Sequence, residues 1–586
     1  LLTQTGYREI FYNTAQSLFV LTQDLGDWVT KGLTVSIKGS FDAKNENNLS
    51  RTKTSPQWLA TGRNEAGELE FNQTQIGEEN LSYKQTNKGY RSVYFEAVAN
   101  WARTFGKHDL SAMFLFQQSQ KNYVGESANN SEKALPYRHQ GIAGRITYNY
   151  DNRYFVEGNF GYNGSENFSP NHRFGFFPSI AVGYVVSNEK FFAPIRDVVS
   201  MVKLKASYGL VGNDQIGGDR RFIYNETVIG GGKYYFGTTP SQYTSVRLGE
   251  FPNPNVGWEK AKKLNLGADL SFFNQLNISV DYFKENREGI FLQRKSIPMY
   301  VGLSTKPWVN IGKMRNSGID ASLEYHQPLG KDLHLTVRGN FTYARNRIMD
   351  QDEPDYAYTY MNHSGQMQWQ KFGLVAAGLF QDQEDIDSWA KQSFGEVKPG
   401  DIKYLDLNGD GIVDNYDTKP IGYSDIPEIV YGFGFSLQWK AFDLSAFFQG
   451  VAHVSFSTLT DQTQAFVGRN LKESSVFADL YGNTWTPENP GAKYPRMTTG
   501  AIDNNNQLST FWMANGRYLR LKNLELGYTL PKRIANKIAM QSLRVYLSGV
   551  NLFTFSPFKL WDPDLQTGAT NYPNNRIINL GLTIGF

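Results

Sequence analysis

The chain has 586 residues, no cysteine, and a formal charge of only +3 from 59 basic and 56 acidic residues. That excludes a disulfide framework and thiolate metal sites, and it offers no concentrated basic face to a nucleic-acid partner. No apolar run approaches the roughly 18 residues of a membrane helix, but aromatics reach 15%, so a membrane β-barrel, built from strands of about ten alternating residues, stays open.

The start, "LLTQTGYREI", has no basic segment, apolar core or cleavage-type segment. Either the protein is cytosolic or this is the later part of a longer chain, and the strand pattern below favours the second. A first strand candidate covers residues 17–25. Short links follow at Gly106 to His108 and Asp151 to Arg153, and a long polar connection at roughly 212–255. In "LNLGADLSF", Leu264, Leu266, Ala268, Leu270 and Phe272 share one side, which is the period-two pattern of a strand. Short links recur at Phe273 to Asn274 and Gln327 to Lys331. In "LHLTVRGNFTY", Leu333, Leu335, Val337, Phe341 and Tyr343 oppose His334, Thr336, Arg338, Asn340 and Thr342.

A long connection at 347–428 leads to "YGFGFSLQW", where Tyr431, Phe433, Phe435, Leu437 and Trp439 alternate with Gly432, Gly434, Ser436 and Gln438. After a short link at Lys440 to Phe442 comes another long connection, 455–516. "RYLRLKNLELGYTL" slips phase between Leu521 and Leu524, as a β-bulge would. "PKRIANKIAM" then reads as a short helical turn with Pro531 at its start. The chain closes on "IINLGLTIGF", with Ile578, Leu580, Leu582, Ile584 and Phe586 on one face and Asn579, Gly581, Thr583 and Gly585 on the other. This looks like the terminal-strand signal that outer-membrane assembly machinery reads; an ordinary soluble edge strand is the alternative.

Alternation of short and long links distinguishes an outer-membrane barrel, with short periplasmic turns and long extracellular loops, from a soluble sandwich. The expected fold is all-β: a transmembrane antiparallel β-barrel with about 17 strands in this chain and long extracellular loops. Counting back from a last strand that ends in the periplasm, the 17–25 strand descends, so an odd number of strands should precede it. The inward set is small and polar, with Arg338, Arg520 and Lys522 added. A barrel this wide has a lumen that is water-filled or plugged.

"DLNGDGIVDNYD", Asp406 to Asp417, carries oxygens in calcium-loop register: Asp406, Asn408, Asp410, Asp414 and Asp417, with the Ile412 carbonyl at position seven and Gly411 at the turn. Asp417 stands where a bidentate glutamate is usual, which resembles dockerin-type loops. By strand parity the loop is extracellular, and a Ca²⁺ ion there would cross-link a long connection. A solvated Asn/Asp/Gly turn is the competing reading. The same connection carries Tyr356, Tyr358, Tyr360 and Trp369, candidate stacking faces for sugar rings, as are "KYYFGTTPSQYTS" at 233–245 and Trp512. Loop-core packing and interfacial anchoring compete for the same aromatics.

The stretches "FVLTQDLGDWVTKGLTV", "RFGFFPSIAVGYVVSNEKFF", "NPNVGWEKAKKLNLGADLSFF", "NIGKMRNSGIDASLEY", "DLNGDGIVDNYDTKPIG" and "NTWTPENPGAKYPRM", in this order, resemble the SusC/RagA-like TonB-dependent transporters of the Bacteroidota outer membrane, as does the final "NGRYLRLKNLELGYTLPKRIANKIAMQSLRVYLSGVNLFTF". The resemblance implies a barrel of about 22 strands with an N-terminal plug. It also implies TonB coupling and a SusD-like surface lipoprotein as lid, with a dimer of transporter–lipoprotein pairs as one assembly. The plug, the TonB-contacting segment and about five first strands are expected to lie outside this chain. The function implied is import of oligosaccharides, or of oligopeptides. An outer-membrane adhesion or assembly protein is the alternative, and no histidine spacing, phosphate-cradling loop or marked carboxylate pair argues for an enzyme.

Overall fold

The computed structural model describes all residues other than 1–4, 129, 130, 218, 219, 240, 304, 461, 462, 465–476, 499, 539, 569 and 570. Its centre is a single 17-stranded antiparallel sheet. In chain order the strands are β1 (Gly6–Asp24), β2 (Leu33–Thr52), β3 (Lys84–Phe105), β4 (His108–Gly125), β5 (Tyr137–Tyr150), β6 (Tyr154–Ser165), β7 (Phe174–Val185), β8 (Val199–Asn213) and β9 (Glu259–Phe272). They continue as β10 (Leu276–Gln293), β11 (Trp308–Leu329), β12 (Leu333–Asp350), β13 (Ile429–Trp439), β14 (Phe442–Ala452), β15 (Tyr518–Thr529), β16 (Ser542–Phe555) and β17 (Ile577–Gly585). Each pairs with its neighbours in sequence, so the sheet is an uninterrupted meander.

Local chemistry places the tight turns. Asp151 and Asn152 both adopt φ near +52°, as do Phe273 and Asn274, the left-handed geometry that suits the twist of a two-strand turn. The tight turns expected from the sequence lie at one end of the sheet. The link after β15 holds the expected helical turn, Lys532–Ala535, entered from Pro531; Ala539 of that segment lies outside the described residues. The expected phase slip is real: β15 shifts register between Leu521 and Asn523, with Lys522 the extra residue against β14, while against β16 two residues, Asn551 and Leu552, stand opposite Lys522.

The strands sort their side chains by chemistry. Val156 pairs with Val182 and Tyr162 with Phe176 on one face, while Glu157 pairs with Ala181 and Asn163 with Gly175 on the other. The apolar face is exposed, not covered by a second layer: Ile180 is 54% exposed, Val182 49% and Leu580 79%. The fully buried apolar side chains instead lie mainly in the connections, among them Leu374, Phe380, Ile402 and Tyr404. A soluble sandwich would bury the sheet face, so this exposure fits a wall that meets hydrocarbon. Near the short links the apolar face carries aromatics in contact: Tyr154 stacks on Tyr184 at 5.1 Å, and Phe442 lies 4.7 Å from Tyr528. Such rings at strand ends are the usual anchors at a membrane interface. The opposite face holds ion pairs such as Lys38–Glu96 at 2.8 Å and Lys205–Asp269 at 2.7 Å.

β1 and β17 run in the same direction, because 17 is odd. Neither pairs with the other among the described residues. Ile578, Leu580, Leu582 and Ile584 sit on the apolar face of β17, held along one side only, to β16.

The two faces should respond oppositely to charge. Val280→Arg on the apolar face of β10 should cost about 2–4 kcal/mol, read as a lower urea midpoint after refolding into vesicles. Ser322→Arg, on the polar face of β11, should leave that midpoint nearly unchanged.

Candidate functional site

Two long connections, 351–428 and 453–517, leave the same end of the sheet from four adjacent strands, β12 to β15. They fold into one body. Leu374, Leu379, Ile402, Tyr404 and Val413 of the first pack with Leu480, Trp485, Tyr494 and Trp512 of the second in a common core. Backbone bonds stitch them: Leu374 N donates to Leu508 O at 2.9 Å, and Thr510 N returns to Leu374 O at 3.0 Å. Asp401, fully buried, accepts from Asn505 Nδ2 at 2.9 Å and from Arg496 Nη2 at 3.0 Å. The Tyr404 hydroxyl donates to Asn504 O at 2.9 Å. Polar sequence therefore hides a small apolar core whose halves lie about a hundred residues apart.

At the base of this body Arg345 of β12 makes a bidentate pair with Glu428, at 2.6 and 2.8 Å. His453 Nδ1 lies 3.1 Å from the same carboxylate and its ring stacks on Tyr423 at 4.7 Å. Burial would raise the Glu428 pKa, but the bonds from Arg345 and then His453 hold it below the ordinary value.

The acidic loop Asp406 to Asp417 sits on the first connection. Asp406 accepts from Gly409 N at 2.7 Å and from Gly411 N at 2.8 Å, the fourth and sixth positions. Gly409 and Gly411 adopt φ of 78° and 84°, which side-chain-bearing residues resist. Asn408 accepts from Asp410 N and Asp410 from Ile412 N. Asp414 caps the turn Asn415–Asp417, and buried Asp417 reaches back to Leu407 N at 2.7 Å and to Asp414 N at 2.8 Å. Each predicted oxygen side chain thus also holds the loop's own backbone. Among the described residues no three His, Cys, Asp or Glu side chains are grouped so as to hold a metal ion in this conformation. The set is all oxygen, which suits a hard cation such as Ca²⁺.

The structure brings part of the aromatic set to this loop. Tyr358 and Tyr360 stack at 5.4 Å with planes 5° apart, and Tyr416 of the acidic loop meets Tyr358 edge-on at 6.2 Å. The Tyr360 hydroxyl donates to Tyr416 O at 2.7 Å. Burial, and then the charge of Asp417, push that hydroxyl's pKa upward. Tyr416 was not among the sequence candidates; a tyrosine inside the acidic motif was its only signal. Tyr356 packs instead near His363, at 6.0 Å, and Trp369 is exposed. Trp512 is a core residue, 4% exposed, with its indole N–H on Asn505 O at 2.8 Å, so it offers no stacking face. The 233–245 stretch lies on an exposed hairpin of Val228–Phe236 and Ser241–Leu248, with Pro240 outside the described residues.

A family model described as "TonB dependent receptor-like, beta-barrel" matches residues 3–552. The TonB-dependent receptor P3 of Formosa agariphila is 28% identical, over 94% of this chain and 56% of its own length. The TonB-dependent receptor SusC of Bacteroides thetaiotaomicron is 27% identical, over 76% of this chain and 43% of its own. The chain spans about half the length of these curated relatives. The solved RagAB peptide transporter shares the fold, with TM-score 0.73 at 20% identity, over 99% of this chain and 62% of that one.

The two-connection body should come apart before the sheet. Asp401→Ala strands Arg496 and Asn505 and should destabilise the body by about 3 kcal/mol, seen as fast proteolysis within 351–428 and 453–517 while the sheet stays resistant. Acid should act there too. Asp479 is held below the ordinary carboxylate range by its bonds from Lys493, at 2.6 Å, and Tyr494. That stabilisation is complete above the unfolded value of about 4 and is lost as pH falls through the lower folded value. The protection factor of amides around Asp479, that is exchange relative to the intrinsic rate at each pH, should therefore stay high at neutral pH and fall only below about pH 4.

Proposed function

Since this chain belongs to the TonB-dependent receptor-like β-barrel family, an outer-membrane family of SusC/RagA type, we propose that it forms the wall and mouth of a nutrient importer. The cargo is oligosaccharide or, as the name of the RagAB structure suggests for that protein, peptide. Import would be driven through TonB by a plug supplied from elsewhere in the protein, with a SusD-like lipoprotein over the mouth, the pairs able to dimerise. The observation that carries this reading is the two-sided sheet, apolar on one face and polar on the other, with a folded body on its long-loop end. The stacked Tyr358 and Tyr360, joined by Tyr416, serve in this reading as a contact surface for cargo. The apolar face of Ile578, Leu580, Leu582 and Ile584, with Phe586, serves as the assembly signal.

The acidic loop serves as a structural Ca²⁺ site in the same reading. The support is the register of its oxygens and their freedom to accept more, since an ionised carboxylate has about four acceptor positions. The ion would add stiffness to the loop that carries Tyr416 and would take no part in transport chemistry.

Cells producing the full-length protein should accumulate a labelled hexasaccharide or hexapeptide, stop when a protonophore collapses the proton gradient, and yield a co-purifying lipoprotein by intact mass. Accumulation that ignores the protonophore would defeat the importer reading and leave an anchored adhesion protein. For the loop, millimolar Ca²⁺ should slow proteolysis near Asp406, chelation should restore it, and Asp410→Ala should abolish the difference. Indifference to Ca²⁺ would leave a hydrogen-bonded turn.

A further inference from the structure

On the polar face of β4 to β8, toward the long-loop end, lies a cavity of about 460 Å³. Its side chains include Gln117, His139, Asn163, Phe177, Asp214 and Trp258. We propose that it is a subsite for one ring of a neutral sugar chain, which rests on the importer reading and narrows its cargo.

The aromatic side is built first. Phe177 and Trp258 meet at 5.1 Å with planes 65° apart, and the Trp258 indole N–H is already satisfied by Arg173 O at 3.1 Å. Two rings with their polar atom engaged elsewhere present apolar area, which suits the C–H face of a pyranose. The recess depends on glycine. A Cβ at Gly212 would come within 2.1 Å of the Phe177 ring, so only glycine lets that ring lie back against the wall.

The polar side is unspent. The Asn163 amide has no hydrogen-bond partner among the described residues, and Gln117 takes only a long bond from the Tyr94 hydroxyl, 3.4 Å. A side-chain amide both donates and accepts, as a sugar hydroxyl does. Asp214 Oδ2 is shielded from solvent yet makes no hydrogen bond among the described residues; His139 Nδ1 stands 3.6 Å away. A buried acceptor without a hydrogen-bond partner calls for one, and a hydroxyl donor would supply it.

Charge and backbone then weigh against the other cargo classes. Among the described residues that line the cavity there is no lysine or arginine, and the carboxylate would repel a uronate or sulfate. One recurring way to hold a peptide of arbitrary sequence is main-chain bonding to a strand edge. These walls offer no such edge, because β4, β5 and β6 each pair on both sides here.

The full-length protein in detergent should be titrated calorimetrically with gluco-, xylo- and manno-hexaose, hexagalacturonate and hexaalanine. At least one neutral hexaose should bind, the uronate and peptide should not, and Asn163→Ala and Asp214→Asn should each weaken binding about tenfold. Asn163 makes no bond to lose, so its variant should keep the parent melting temperature. Binding of the uronate or peptide alone, no binding by any probe, or neutral binding indifferent to both variants would overturn the subsite. The last result, with protonophore-sensitive uptake intact, would spare the importer reading; uptake insensitive to the protonophore would remove that reading whatever the calorimetry gives.

Discussion

A peptide group placed in hydrocarbon finds no water to bond with, and each unmatched group costs several kcal/mol. An uninterrupted antiparallel meander meets that constraint strand by strand, which is why 17 strands of this chain share one ladder with no crossover. Side-chain chemistry follows from it. Once the backbone is satisfied within the sheet, one face is free to be apolar and the other polar. The exposed Ile180 and Leu580 and the paired Lys205 and Asp269 are two results of the same rule.

The constraint also displaces the hydrophobic core. A wall one layer thick has no interior of its own, so burial is available only where connections fold on each other. The second body, with Leu374, Ile402, Tyr404 and Trp512 at its centre, is such a place. A smaller one forms around Phe168, Ile216, Ile223, Val256 and Phe291. Stability in this molecule therefore comes from two sources, ladder bonds in the wall and apolar burial in the loops, which answer to different solvents.

Period-two alternation was legible because it is local: Leu333 to Tyr343 reads directly as two faces, and the bulge at Lys522 shows as a broken phase. The same holds for Pro531 opening its turn. The acidic register of Asp406 to Asp417 was visible too, though not that each carboxylate would already hold loop backbone. What escaped was non-local. Trp512 looks like a free aromatic until Asn505 and the other connection close over it. Tyr416 gains meaning only beside Tyr358 and Tyr360, more than fifty residues away. The joint burial of 351–428 with 453–517 depends on pairs such as Ile402 with Asn505, which no window along the chain contains.

Arg345, Glu428, His453 and Tyr423 give that outer body a footing on the strand ends that carry it. A lever fixed at four neighbouring points cannot tilt at one alone. A load applied at its tip reaches β12, β13, β14 and β15 through one packed body rather than through separate tethers.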